Sequence, residues 1–185
     1  MDSLQKNGDS CYFWGGIGKP KNRPFLEVIL RMENETNYRL QNLITWAKKR
    51  GIGAKYNYLF TREELTFCVK GKDNPNVFNI PHLEDKAACR PFNPKYKCLS
   101  EYKRRTNIWS DVSDIFPHKY HACEKPTALY EIPILTSSNP GDLVLDPFAG
   151  SGTLAVAAIK NQRRFICIEK DPDIYNIAIN RLDLI

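Results

Sequence analysis

The stretch Asp146-Pro147-Phe148-Ala149-Gly150-Ser151-Gly152-Thr153 is where residue types and spacing come closest to chemistry. It follows the apolar run Leu143-Val144-Leu145 and precedes the small-residue run Leu154–Ile159. That order predicts a strand, a tight turn and a helix, the corner at which α/β sheets hold phosphates or nucleosides. Side chains at positions 150 and 152 would block close approach of a ligand to the backbone, so glycine fits there. No Lys-Ser/Thr pair closes the loop, which excludes the phosphate-gripping loop of NTPases. The spacing also differs from the three-glycine dinucleotide fingerprint.

The remaining chain supplies elements to position this corner. Ser10–Trp14 is a β-prone run, and Arg23-Pro24 opens a helical pattern with Phe25, Val28, Ile29 and Met32 on one face. Leu43–Trp46 and Glu64–Lys70 read as strands, separated by a glycine-rich aromatic loop with Gly51, Gly53, Tyr56 and Tyr58. Gly71–Pro75 is a strong turn signal. The unit of strand, helix or loop, then strand predicts an α/β half-sheet. Glu124–Ser138 reads as a helix that Pro133 should kink or split. A strand over Phe165–Ile168 and a helix from Pro172 to Leu182 close the chain.

Between these halves the periodicity fades. From Lys86 to Arg105 seven basic residues face one acidic residue, interleaved with Phe92, Tyr96 and Tyr102, and with Trp109 just beyond. Cations neutralise phosphates and aromatic faces stack on unpaired bases, so this segment is expected to contact nucleic acid through Arg90, Lys95, Lys97, Lys103, Arg104 and Arg105. The plainer reading is a solvated basic loop. A net charge of +6 suits a polyanionic partner.

Three blocks in order resemble the DNA amino-methyltransferases, which use S-adenosylmethionine to methylate adenine N6 or cytosine N4. They are His121–Pro126 with Ser137-Ser138 and Gly141-Asp142; Asp146–Thr153; and Arg164–Glu169 with Tyr175, Ala178 and Arg181-Leu182. The resemblance covers about the last third of the chain. It implies a Rossmann-like α/β methyltransferase fold, S-adenosylmethionine as cofactor and double-stranded DNA as partner. It also places target recognition in the basic insert. By position, Glu169 would accept the ribose hydroxyls, with Asp171 a rival, and Asp146 would meet the ammonium or sulfonium side. Phe148 would pack on the cofactor, and Gly150, Gly152 and Thr153 would form the loop around it. Lys125, Pro126 and Thr127 match the block lining the methionine end, with Ser137 a further candidate. Ala122 stands where the family usually has proline after the histidine. The implied organisation is an N-terminal half-sheet over 1–73, a recognition insert over 74–117 and a cofactor-binding half over 118–185.

No catalytic residue can be assigned. The family grips the flipped base with Asp, Asn or Ser, then Pro-Pro and an aromatic residue, and no Pro-Pro pair occurs in these 185 residues. The central strand carrying that motif, expected between Leu143–Leu145 and Ser10–Trp14, therefore has no candidate. Two half-sheets would be left without their shared neighbour. Four readings follow: a truncated methyltransferase, one subunit of a split enzyme whose second chain brings the motif, an inactive DNA- or cofactor-binding module, or an RNA methyltransferase.

Composition narrows the class. No apolar run reaches the ~18 residues of a membrane span, and the start resembles no signal peptide, so cytoplasmic residence is expected. Cys11, Cys68 and Cys167 lie in strand-like runs and should behave as buried hydrophobes. Cys89, Cys98, His118, His121 and Cys123 offer metal-ligand types, but the Cys89–Cys98 spacing does not suit zinc, and no metal is expected.

Overall fold

A computed structural model describes residues 4–15, 24–55, 57–86, 102–115, 120 and 124–185. Strand β1 (Ser10–Gly15) leads to helix α1 (Pro24–Glu35), which precedes two long strands, β2 (Tyr38–Ala54) and β3 (Asn57–Lys70). After β4 (His82–Lys86), β5 (Tyr102–Arg104) and β6 (Ile108–Trp109), helix α2 (Ala128–Ser137) opens the last part. There β7 (Leu143–Asp146), α3 (Thr153–Lys160), β8 (Arg164–Cys167) and α4 (Pro172–Leu182) alternate.

The strands form a four-stranded sheet ordered β1-β3-β2-β6, a β4-β5 pair and a β7-β8 pair. In the larger sheet β3 is antiparallel to both β1 and β2, whereas β6 runs parallel to β2. The β7-β8 pair is parallel, as a strand–helix–strand crossover requires. Among the described residues, β1 and β7 each have one strand neighbour and one open edge.

Helix α2 joins the two sheets. Its Leu129 is fully buried in the first core, with Ile44, Trp46, Leu65, Phe67, Val69, Trp109 and Val112. Its Ile134 packs in the second, with Ala157, Ala158, Val144 and Phe165. Tyr12 of β1 shares a 2.7 Å hydrogen bond with Ser137 at the helix end. Asn79 donates to the Leu135 and Ser138 carbonyls at 2.9 and 3.1 Å, and Arg163 donates to the Ser138 carbonyl at 2.6 Å. These bonds satisfy helix-end acceptors that would otherwise be stranded.

Several expectations change. Helix α2 starts at Ala128 rather than Glu124, and Pro133 sits inside it without splitting it. The segment read as a loop around Gly51 is strand, because β2 and β3 run on as a hairpin. Trp109, read as a face for bases, is 3% exposed and joins the core through β6. Its indole N–H donates to the Thr106 carbonyl at 3.1 Å.

Burial pushes the Cys11 thiol up to about 11 and those of Cys68 and Cys167 up to about 12, which suppresses the reactive thiolate. Among the described residues no metal-binding cluster occurs and no helix is long and apolar enough to cross a membrane. Cys89, Cys98, His118, His121 and Cys123 lie outside the described residues.

Candidate cofactor corner

The loop between β7 and α3 is held by backbone pairing that outruns its strands. Ile168 N–H donates to the Asp146 carbonyl at 2.9 Å, and Ala149 N–H donates to the Ile168 carbonyl at 2.9 Å. Gly150 and Gly152 then adopt left-handed backbone angles, with φ of +53° and +75°. A Cβ built on Gly150 would meet nothing within 4 Å, whereas one on Gly152 would lie 3.2 Å from the Ala178 Cβ. Gly150 thus borders open space, and Gly152 lets α4 close against the loop.

Two carboxylates flank this opening. Glu169 accepts the Gly150 N–H at 2.9 Å through Oε2 and the Asp171 N–H at 3.0 Å through Oε1. The Asp171 bond, and with it the Gly150 bond, holds its carboxyl below the usual range. Asp146 accepts the Phe148 N–H at 3.0 Å. Among the described residues no basic side chain forms an ion pair with it, and burial, aided by the Glu169 charge, raises its pKa. Burial likewise raises the pKa of the neighbouring Tyr130 phenol, with Asp146 adding to the effect. The corner therefore presents a half-buried acid with no paired cation among the described residues. Phe148, 84% exposed, stands over the same turn.

Asp146, Phe148, Gly150 and Glu169 thus border the same opening, whereas Gly152 packs against α4 and Thr153 turns its hydroxyl to Arg181. Asp171 is occupied as the N-cap of α4, accepting from Asp173 and Ile174 N–H at 3.0 and 3.2 Å. Ser137 is engaged with Tyr12. Pro126 is buried, and the Thr127 carbonyl accepts the Tyr130 N–H at 2.9 Å at the start of α2. Lys125 points toward the larger sheet, 2.8 Å from Glu63 and 5.1 Å from the Trp14 ring centre. Burial opposes ionisation of Glu63, but Lys125 and Lys48 overcome it and lower its pKa.

Sequence reasoning gave Arg181 no role. From α4 its Nη1 reaches Glu124 Oε1 at 3.1 Å, Thr153 Oγ1 at 3.1 Å and the Ser151 carbonyl at 3.2 Å. Its guanidinium also lies 4.7 Å from the Tyr120 ring centre. One buried cation thereby ties the segment before α2 to the glycine loop, and it draws the Thr153 hydroxyl toward itself. In the basic insert, Lys103 and Arg104 are exposed. Arg105 donates to both oxygens of Asp111 at 2.7 Å. Arg90, Lys95 and Lys97 lie outside the described residues.

A parallel strand–glycine loop–helix–strand unit with an acid at each strand end is the arrangement at which α/β folds hold nucleosides, and it stands here on a Rossmann-like methyltransferase fold. The comparisons agree. The DNA methylase family (N6_N4_Mtase) matches residues 2–180, and the chain belongs to that family. DNA adenine methyltransferase YhdJ of Escherichia coli (strain K12) is 30% identical over 201 residues, covering 98% of this chain and 62% of its own. Type II methyltransferase M.HpaI of Haemophilus parainfluenzae is 30% identical over 162 residues, covering 82% of this chain and 48% of its own. This chain thus spans about half to three fifths of the length of these two relatives. Among solved structures, the M1.HpyAVI–SAM complex superposes with a TM-score of 0.70 at 24% identity, covering 97% of this chain and 77% of that one. The cytosine-N4-specific PvuII DNA methyltransferase gives 0.72 at 18% identity, covering 95% and 64%. At these identities the two structures speak for the fold.

Proposed function

We propose that this chain is the cofactor- and DNA-recognising portion of a site-specific DNA methyltransferase. It would direct a methyl group from S-adenosylmethionine to the exocyclic amine of adenine (N6) or cytosine (N4). The observation that carries this reading is the half-buried Asp146 carboxyl, with no cation paired to it among the described residues, next to the open space at Gly150. A ligand with a positively charged amino-acid tail and a nucleoside fits that pair. Asp146 would face the cationic end, Gly150 would admit the ligand to the backbone, and Phe148 would cover it. Glu169 already holds two N–H groups, and each carboxylate oxygen keeps acceptor capacity for ribose hydroxyls. When bound, S-adenosylmethionine supplies a methyl group activated by its sulfonium.

The residues that grip the target base come, on this account, from outside these 185 residues. A strand bearing them, on the same polypeptide or a second chain, would sit between the open edges of β1 and β7, both of which adjoin α2. The division into a half-sheet (1–73), a recognition insert (74–117) and a cofactor half (118–185) fits this scheme, with Ile108–Val112 lent to the core. The action is on cytoplasmic double-stranded DNA.

The native-length protein, incubated with isotope-labelled S-adenosylmethionine and duplex DNA, should yield labelled N6-methyldeoxyadenosine or N4-methyldeoxycytidine on nucleoside mass spectrometry. Label confined to RNA, to cytosine C5, or to no nucleoside would contradict the reading.

The raised pKa of Asp146 fixes the pH dependence of binding. In the free protein this group contributes stability below its unfolded pKa, and that contribution is lost as pH rises through the raised folded value. A cationic ligand favours the carboxylate, so affinity should climb as pH rises through the raised Asp146 pKa and then level off. Calorimetry in buffers of differing ionisation enthalpy should show proton release on binding below that plateau. Asp146→Asn should bind weakly without that pH dependence.

A further inference from the structure

The β2–β3 hairpin outgrows the sheet that carries it. Strand β1 pairs with β3 no further than Gly15 opposite Glu64, and β6 meets β2 only at Thr45 and Trp46. Beyond those points Ala47 pairs with Arg62, Ile52 with Phe60 and Ala54 with Asn57, and among the described residues β2 and β3 pair there only with each other. A two-stranded arm with no third strand is marginal in water, so its length contributes little to stability. Its composition is one-sided. Residues 47–62 contain Lys48, Lys49, Arg50, Lys55 and Arg62 and no Asp or Glu, in a chain whose net charge is +6.

Acidic side chains pair with the cations at the base of the arm. Lys48 pairs with Glu63 and lies 3.7 Å from Asp114, and Arg62 reaches Glu64 at 3.1 Å. Lys49, Arg50 and Lys55 are exposed, as is Leu59 at 61%. The foot of the arm is linked to the cofactor corner by side-chain contacts. Glu63 at its foot holds Lys125 at 2.8 Å, and the adjacent Glu124 holds Arg181, which binds the glycine loop.

We propose that this ribbon, through Lys49, Arg50 and Lys55, binds the phosphate backbone of the double-stranded DNA whose base is brought to the cofactor corner. The inference rests on the function proposed above and adds a second DNA-binding element to the basic insert. Closely spaced exposed cations on a two-stranded arm match a phosphate array. A two-stranded ribbon also has the cross-section that a major groove about 12 Å wide admits. An acidic protein surface would present a sparser and less regular charge pattern. The absence of any acid over the whole arm favours the polyanion.

The test is fluorescence anisotropy of a labelled duplex oligonucleotide across a salt series, comparing the unaltered chain with Lys49→Gln/Arg50→Gln/Lys55→Gln. Glutamine keeps the first two methylenes of each stem, and matched thermal melting and S-adenosylmethionine calorimetry check that fold and pocket persist. Losing three phosphate contacts should lower the slope of log K against log salt by about 2.7 and weaken binding at least ~10-fold at low salt. An unchanged slope and affinity, with the unaltered chain binding duplex, would overturn the ribbon assignment and leave the proposed function standing. If the triplet upsets melting, Lys49→Gln alone should still lower the slope by about 0.9, and no change would overturn the assignment. Absence of duplex binding by the unaltered chain, or preference for RNA over duplex DNA, would overturn both.

Discussion

Gly150→Ala should lose S-adenosylmethionine binding while leaving the fold nearly intact. At φ +53° an added Cβ carries left-handed strain of roughly 1–2 kcal/mol, but it meets no protein atom within 4 Å. The space it enters is the space through which a ligand would approach the loop. Overlap of that methyl with a close-fitting ligand should cost roughly 1–3 kcal/mol. That corresponds to about 5- to 150-fold in affinity. Gly141→Ala is the matching control, because Gly141 has φ +85° and also meets nothing within 4 Å, yet lies in the turn before β7. Melting should report similar destabilisation for both variants, whereas calorimetry should show an affinity loss only for Gly150→Ala. Equal affinities would remove the ligand from that side of the loop.

Arg181→Met should be the most destabilising single change in the cofactor half. Its side chain is 10% exposed and faces a Glu124 side chain that is 2% exposed. Removing one partner of a buried ion pair typically costs about 3–5 kcal/mol, because the remaining charge was desolvated for that partner. Methionine fills much of the volume but offers nothing to Thr153 Oγ1 or to the Ser151 carbonyl. Urea unfolding should show the loss, and adding Glu124→Gln should restore part of it, giving a coupling energy of about 0.5–3 kcal/mol. Full additivity would mean that the two groups do not act as a unit. S-adenosylmethionine affinity should fall in Arg181→Met as well, since the clamp fixes the loop on both sides of Gly152.

What could be read from the sequence was local. The strand, glycine loop and helix around Asp146–Thr153 are contiguous, so their order predicts their geometry, and Glu169 follows from one crossover. Strand β1 and helix α4 were legible for the same reason, through an apolar run and a first-turn proline. Arg181 was not, because its loop partners lie 28 and 30 residues away and no periodicity links them. The ribbon was hidden by its own glycines and tyrosines, which imitate a loop. The pairing of Ile52 with Phe60 and of Ala54 with Asn57 reveals two strands there. Trp109 followed a basic segment and read as a base platform, but a two-residue strand draws it into the core. Two open sheet edges were anticipated from a missing motif, and among the described residues β1 and β7 each have a single strand neighbour.

The most direct test of the central claim is calorimetric titration of S-adenosylmethionine into the unaltered chain, near neutral pH and again at acid pH. The account predicts a single site at neutral pH that weakens as Asp146 takes up its proton. No binding at neutral pH, or binding indifferent to pH and to Asp146→Asn, would contradict it.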